Sequence, residues 1–218
     1  MSSAEVYEQL EGAILTGQFR PRERLVEMDL VKRFGTSRGR IRDAIKRLAD
    51  KGLVKISPHK GAVVMDLLPE EVEDIYFVRT HLELLATRLA MERISKEEIA
   101  TLKRIQREFV KFAKKKDLRN LIETNDQFHN TIFKASRNPY LYRIIDDLRI
   151  LSHMVRYNAW SNSERIRKSV SEHEEFITAL ESRDEDKLEK LSYHHINFSK
   201  EAYLAQLEIF SPVKSHRI

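Results

Sequence analysis

Three histidines and one run of basic residues have the types and spacing that could do chemistry. His129 follows Asn125 by one helical turn and lies beside Phe128 and Ile132, so the amide and the imidazole share one inward helical face. His173 sits in the stripe Ile166, Val170, His173, Ile177, Leu180, and His195 in the stripe Leu188, Leu191, His195, Phe198, Ala202. Three helices thus aim one imidazole each at the core. Burying them without partners would cost about 1 to 3 kcal/mol apiece, so they need something shared. Two readings meet that need: a divalent metal, or a metal-free hydrogen-bonded cluster. Imidazole ligands suit zinc, nickel, copper or iron, and zinc or nickel is the leading expectation. His81, His153, His194 and His216 show no comparable pattern and read as surface or satisfied core residues.

The basic run is a different kind of site. Between Lys32 and Lys60 stand ten Lys or Arg against Asp43 and Asp50, a local charge of +8 in a chain whose net charge is +5. From Leu67 onward acids and bases nearly balance, so the positive field belongs to one N-terminal segment and points to a polyanion partner for that segment alone. A helix presented to a DNA major groove needs small or polar residues at its start, basic groups that reach bases and phosphates, and an apolar back. Ser37 to Leu48 has all three, with Ile41, Ala44, Ile45 and Leu48 on the buried side. The candidate DNA contacts are Thr36, Ser37, Arg38, Arg40, Arg42 and Lys46, together with Lys60 and Gly61 further on. The plainer alternative is a basic helix that is merely solvated.

The elements that must position these groups are mostly helices. Of 218 residues, 41% are hydrophobic and 33% charged, with only 6 Gly and 5 Pro, which suits long helices rather than a β-sandwich or a disordered chain. The absence of cysteine excludes disulfides, thiolate metal sites and a cysteine nucleophile. No apolar run is long enough to span a bilayer and no signal peptide is evident, so the expectation is a cytoplasmic protein with no membrane partner. Periodicity predicts helices over Ala4–Leu15, Glu27–Phe34 and Ser37–Asp50, with Gly17 ending the first, Gly35 the second, and Thr36-Ser37 supplying N-caps for the third. A two-stranded hairpin, Leu53–Ser57 and Ala62–Met65, follows as a wing with Lys60-Gly61 at its tip. Six helices complete the chain: Pro69–Arg93, Ser95–Lys116, Leu118–Ser136, Pro139–Trp160, Asn162–Arg183 and Glu185–Phe210. The expected fold class is mainly α, an N-terminal winged helix-turn-helix over residues 1–66 and an all-helical bundle over 67–218.

The stretch from Leu25 to Val64 resembles the winged-helix domain of GntR-type bacterial transcription regulators. The likeness rests on Asp29 to Arg38, Ile41-Arg42-Asp43-Ala44-Ile45, Leu48, Gly52-Leu53-Val54 and Lys60 to Val64, in that order. Gly39-Arg40 departs from the family, which commonly has a small or hydroxyl residue followed by Pro. The resemblance implies a homodimer on a pseudo-palindromic double-stranded DNA operator, with Arg38, Arg42 and the wing Lys60-Gly61 at the DNA. Asn125 to His129, Ala135 to Asn138, Glu172 to Ile177 and His195-Ile196 are similar to the FCD branch, the FadR-like regulators with an all-helical effector domain. That resemblance implies three histidine ligands and an Asp four residues before the first. Asn125 stands at the Asp position, and its carbonyl oxygen would make a weaker fourth ligand. Asp126 is rotated about 100° away on a helix and is no substitute.

Effectors of that branch are mostly small carboxylates, which implies a small organic acid for this chain. Arg79 is the first candidate to receive it, because a charge in the stripe Ile75, Arg79, Leu82, Ala86, Leu89 needs a partner. An intrahelical pair with Glu83 is the equal alternative. Arg149 and Arg156, which share a polar face with Ser152, are weaker candidates, and snorkelling surface arginines are the alternative there. The leading function is a ligand-responsive transcription regulator and no enzyme. A DNA-binding dimer with a purely structural His cluster competes with it. A metallohydrolase with Glu172 or Glu174 as base is weaker, because no His stands at Ile177 to complete the helical zinc-protease motif.

Overall fold

A computed structural model of the chain describes residues 1–15, 18–57, 61–160 and 162–210, and all of their side chains except those of 158 and 206–210. Its contacts divide the chain into two units, Met1–Glu71 with Arg149–Met154, and Val72–Leu148 with Val155–Ile218.

In the first unit the helices α1 (Ser3–Leu15), α2 (Glu27–Phe34) and α3 (Arg38–Asp50) pack with a small sheet. Val6, Leu10 and Ile14 of α1 meet Ile41, Ala44, Ile45 and Leu48 of α3, all buried, which is the apolar back face that the spacing predicts. Gly17, the expected end of α1, lies outside the described residues. Acids in the first turn of α2 (Glu27, Asp29) and bases in its last (Lys32, Arg33) match the helix dipole. Gly35 ends α2 at φ 58°, left-handed, and the tight turn into α3 depends on that conformation. The sheet corrects the expectation of a plain hairpin. Strands β2 (Val54–Ser57) and β3 (Gly61–Val64) pair antiparallel as predicted, but β1 (Arg24–Leu25) pairs with the other edge of β3, giving the order β1-β3-β2. Two residues are too short to show an alternating pattern, so β1 was invisible to periodicity. The hairpin turn expected at Pro58-His59-Lys60 lies outside the described residues.

Among its described residues the second unit contains helices and their connections and no strand. Its helices are α4 (Pro69–Arg93), α5 (Lys96–Lys115), α6 (Leu118–Ala135), α7 (Pro139–Leu151), α8 (His153–Ala159), α9 (Ser163–Ser182) and α10 (Glu185–Phe210); the start of α4, the end of α7 and the start of α8 group with the first unit. Ser95 and Glu98 form a reciprocal capping box at the start of α5, and Asn162 caps α9 by accepting from the Glu164 and Arg165 amides. One core runs through the bundle, built from residues such as Ala86, Leu102, Phe128, Phe133, Ile145, Phe176 and Leu180. A second correction falls on the predicted helix Pro139–Trp160, which breaks at Ser152. The Ser152 hydroxyl turns back to the Arg149 carbonyl at 3.4 Å, the local competition with helical bonding that serine can offer.

Two glycines of the helix-turn-helix should respond oppositely to alanine. Neither has a heavy atom within 4 Å of the position a Cβ would take, so packing does not decide the outcome. Gly35→Ala forces a side chain into the left-handed region and should destabilise by about 1 kcal/mol. Gly39→Ala, in helical backbone, should stabilise by about 0.5 kcal/mol. Urea unfolding of the full-length variants checks both signs.

Candidate functional site

Helix α3 presents its polar residues outward because its apolar ones are taken by α1. Ser37, Arg38, Arg40, Arg42 and Lys46 are all exposed. Ser37 occupies the N-cap of α3 as expected, but its hydroxyl makes no capping bond, and Thr36 Oγ1 has no hydrogen-bond partner among the described residues. Arg38 and Arg42 converge on one acceptor that sequence reasoning missed. Glu27, at the start of α2, accepts from Arg38 Nε on Oε2 and from Arg42 Nε on Oε1, the latter at 2.8 Å. The Arg42 and Arg38 hydrogen bonds hold the Glu27 carboxyl below its usual range, against a small opposing effect of burial. Gripping each guanidinium by Nε leaves the Nη groups directed elsewhere, the pair that a guanine edge would engage. Arg47 points away from that acceptor and lies over the Tyr7 ring, 3.9 Å from its centroid. A concavity of about 580 Å³ is bordered by Glu27, Arg38, Arg42 and Lys46 on the helices and by Ile56 and Gly61 on the wing. Gly61 has φ 81°, and its open Cα lies against the Arg24 guanidinium. Lys60 lies outside the described residues.

In the bundle, α6, α9 and α10 bring His129, His173 and His195 together, with one ligating atom from each all within 4.8 Å of one another. All three are buried, and Asn125 is buried one turn before His129. Tautomers follow from the neighbours. Gln106 of α5 donates Nε2 to the Val170 carbonyl at 2.9 Å, which turns its Oε1 toward His173 Nδ1 at 3.1 Å. His173 Nδ1 must then carry the proton, and Nε2 is left a bare acceptor. Phe128 stacks on the His173 ring at 4.1 Å and 9°, and Phe109 lies 4.6 Å away, so the ring cannot turn to find another donor. His195 Nδ1 stands 2.6 Å from Glu172 Oε2 and 3.2 Å from Arg165 Nη2. Arginine only donates and the carboxylate only accepts, so the shorter Glu172 contact decides: Nδ1 carries the proton and Nε2 is the lone pair. That lone pair faces His129 Nε2 at 3.0 Å.

The electrostatics disfavour the charged form of two of these rings. Burial first, and then the charges of His195 and Arg165, push His173 well below the ordinary histidine range. Burial and Arg165 also lower His195, while Glu172 and Glu83 oppose them. Burial alone would raise Glu172, but its bond to His195 and the His195 and Arg165 charges hold it at about 2. Arg165 is almost wholly buried, donates to Glu172 at 2.6 Å, and lies 4.6 Å from the Phe198 ring centroid. Glu172, weighed above as a hydrolase base, is therefore committed to Arg165 and to the outer nitrogen of His195, while Glu174 is exposed. Arg165 and Gln106 were missed, although Arg165, Ser169, Glu172 and Phe176 repeat at the spacing of one helix face.

His173 Nε2 and the Asn125 amide oxygen are both buried without a hydrogen-bond partner. His195 Nε2 and His129 Nε2 bring the buried acceptor-type atoms to four. One proton between His129 and His195 satisfies two of them and leaves the other two. Two further donor protons would meet the need of those two atoms, and one cation would take the lone pairs directly. The residues present therefore fit a divalent metal, with His129, His173, His195 and Asn125 as its holders. Asp126 is engaged elsewhere, in an ion pair with Arg156.

The arginines proposed for a carboxylate are all committed or apart. Arg79 is buried and pairs with Glu83 at 2.8 Å, the alternative set beside it above. Arg156 is buried and paired with Asp126 rather than snorkelling. Arg149 is buried as well, and groups with the first unit.

Two family models match the chain, that of the bacterial regulatory proteins of the gntR family over residues 2–64 and that of the FCD domain over residues 74–198. Among curated relatives, an uncharacterized HTH-type transcriptional regulator, YdhC of Bacillus subtilis, is 28% identical over 88% of this chain and 87% of its own. The transcriptional repressor RspR of Escherichia coli is 24% identical over 88% and 84%. The solved structure of E. coli McbR/YncC superposes with a TM-score of 0.72 at 21% identity, covering 95% of this chain and 99% of that one, which shows the shared fold. No described helix is long and apolar enough to cross a membrane. With a GntR-type winged helix ahead of an FCD bundle, the chain belongs to the FCD branch of the GntR family and is a DNA-binding transcription regulator, not an enzyme.

Proposed function

We propose that the chain is a ligand-responsive homodimeric regulator whose bundle holds one divalent metal, zinc or nickel, and takes a small carboxylate effector beside it. The observation that carries the metal is the set of three imidazoles with ligating atoms within 4.8 Å of one another, among them the orphaned His173 Nε2, with a second orphaned acceptor, Asn125 Oδ1, one helical turn before His129. The metal would act as a Lewis acid for the effector's carboxylate. Glu172 and Arg165 support it from outside by keeping the His195 proton on Nδ1. For the effector, Arg79 is the first candidate: it is buried in the bundle, and a bound carboxylate would have to take it from Glu83, whose charge reaches His195. The Arg79–Glu83 pair also favours a second reading, a DNA-binding dimer whose His cluster only staples the bundle.

At the DNA, Arg38 and Arg42 would read bases, with Thr36, Ser37, Arg40, Lys46 and the wing residues Lys60 and Gly61 on the backbone. Glu27 would aim the two reading arginines.

Dialysed wild type should retain about one zinc per chain, and His173→Ala should lose most of it, read by elemental analysis and by the zinc-dependent rise in Tm. Asn125→Asp should bind more tightly, and Glu172→Gln more weakly by about 10 to 100-fold, in competition against a chromophoric chelator. Retention of stoichiometric metal by His173→Ala would show that the cluster is not the site.

Arg38→Ala and Arg42→Ala should each reduce specific operator affinity by about 1 to 3 kcal/mol. Glu27→Gln, by contrast, should strengthen binding to random DNA, since a negative charge is lost, while narrowing the ratio of specific to random affinity. Titrations of both DNAs at several salt concentrations separate the two effects.

Effector binding should change operator affinity by about 5 to 150-fold in the wild type. Arg79→Lys should keep its metal and its effector-free DNA affinity and lose most of that response. If no small acid alters operator affinity in the metal-loaded wild type, the staple reading replaces the sensor.

A further inference from the structure

We propose that a cleft at the Trp160 end of the bundle is a second ligand site, fitted to an amphipathic organic anion such as a medium-chain fatty acid. The cleft has a volume of about 670 Å³ and lies among the end of α5, the start of α6 and the start of α9. That is within the range of small-molecule sites, which are apolar pockets with a few placed polar groups. Its walls are Ala113, Leu118, Leu121, Trp160, Ile166 and Val170. Its rim carries Lys114, Lys116 and Arg167. All three cations are exposed, and none has an acidic side chain paired with it among the described residues.

Charge and apolarity together define the occupant. Three cations at the lip of an apolar slot favour a negative head group with an apolar body, and oppose a cationic or wholly polar ligand. They also oppose the chain's own C-terminal sequence, which carries Lys214 and Arg217, and a second copy, which would present the same cations. The cleft is separate from the His centre. Phe109, fully buried, stands between them with its ring 5.9 Å from that of Trp160 and 4.6 Å from that of His173. A ligand in the cleft would touch the Trp160 side of this wall and would not reach the imidazoles.

Trp160 is the only tryptophan of the chain, so occupancy can be read directly from its emission. Sodium decanoate, titrated into full-length metal-loaded protein below its micellar concentration, should give a saturable blue shift. The double variant Lys114→Glu/Arg167→Glu, altered only at exposed positions, should bind at least tenfold more weakly, and so should decanol with the wild type. Ala113→Phe, which fills the slot, should abolish the shift. Removing metal with a chelator should leave decanoate affinity within twofold, whatever the fate of the metal reading itself. An unsaturable response, or affinities of decanol and the double variant within twofold of the wild-type decanoate value, would overturn the anion site. Loss of binding on chelation would place the carboxylate at the His centre instead and overturn the second site.

Discussion

A buried imidazole whose Nδ1–H is already given to a neighbour keeps a lone pair on Nε2 that has nowhere to go except another buried group. The bundle meets this condition at His173, through Gln106, and at His195, through Glu172, and sets the resulting acceptors beside His129 and the Asn125 amide oxygen. Leaving such an atom unsatisfied costs about 1 to 3 kcal/mol, which favours any arrangement that gives these acceptors a donor or a cation. Much of the bundle's interior serves that constraint. Phe128 and Phe109 hold the His173 ring, and Arg165 compensates the charge that orients His195.

The two units use charge in opposite ways. In the bundle, Arg79, Arg156 and Arg165 are buried and each is matched by a carboxylate, so the charges fix geometry in a low-dielectric interior. In the winged helix the arginines are exposed, and Glu27 is the acid to which two of them turn. An exposed ion pair contributes little stability, so the significance of Glu27 lies in where it aims the guanidinium groups. The same electrostatic rule, that a cation seeks an anion, thus fixes interior geometry in one unit and orients exposed guanidinium groups in the other.

Much of this could be read from residue order. Helix ends followed from Gly35 and Ser37, the buried faces from apolar spacing, and the three histidines from their places in otherwise apolar stripes. Other features escaped for identifiable reasons. Strand β1 is too short to carry a period, and it exists because the edge of β3 offers it unpaired backbone. The break at Ser152 falls inside an otherwise continuous helical pattern that carries no Gly or Pro to mark it. Gln106 and Arg165 lie 67 and 30 residues from the histidines they contact, a separation that no local spacing rule can bridge.

By itself, then, the sequence determined the order of elements, the apolar faces, the segregation of positive charge to the N-terminal segment and the membership of three imidazoles in one core. These properties are local or additive along the chain. Tertiary structure alone decided which nitrogen of His173 and of His195 is free, that Arg79 pairs with Glu83 and Arg156 with Asp126, and that Glu27 holds both Arg38 and Arg42. Hydrogen-bond direction and ion pairing are set by groups within about 3 Å in space, and folding, not sequence distance, brings those groups together.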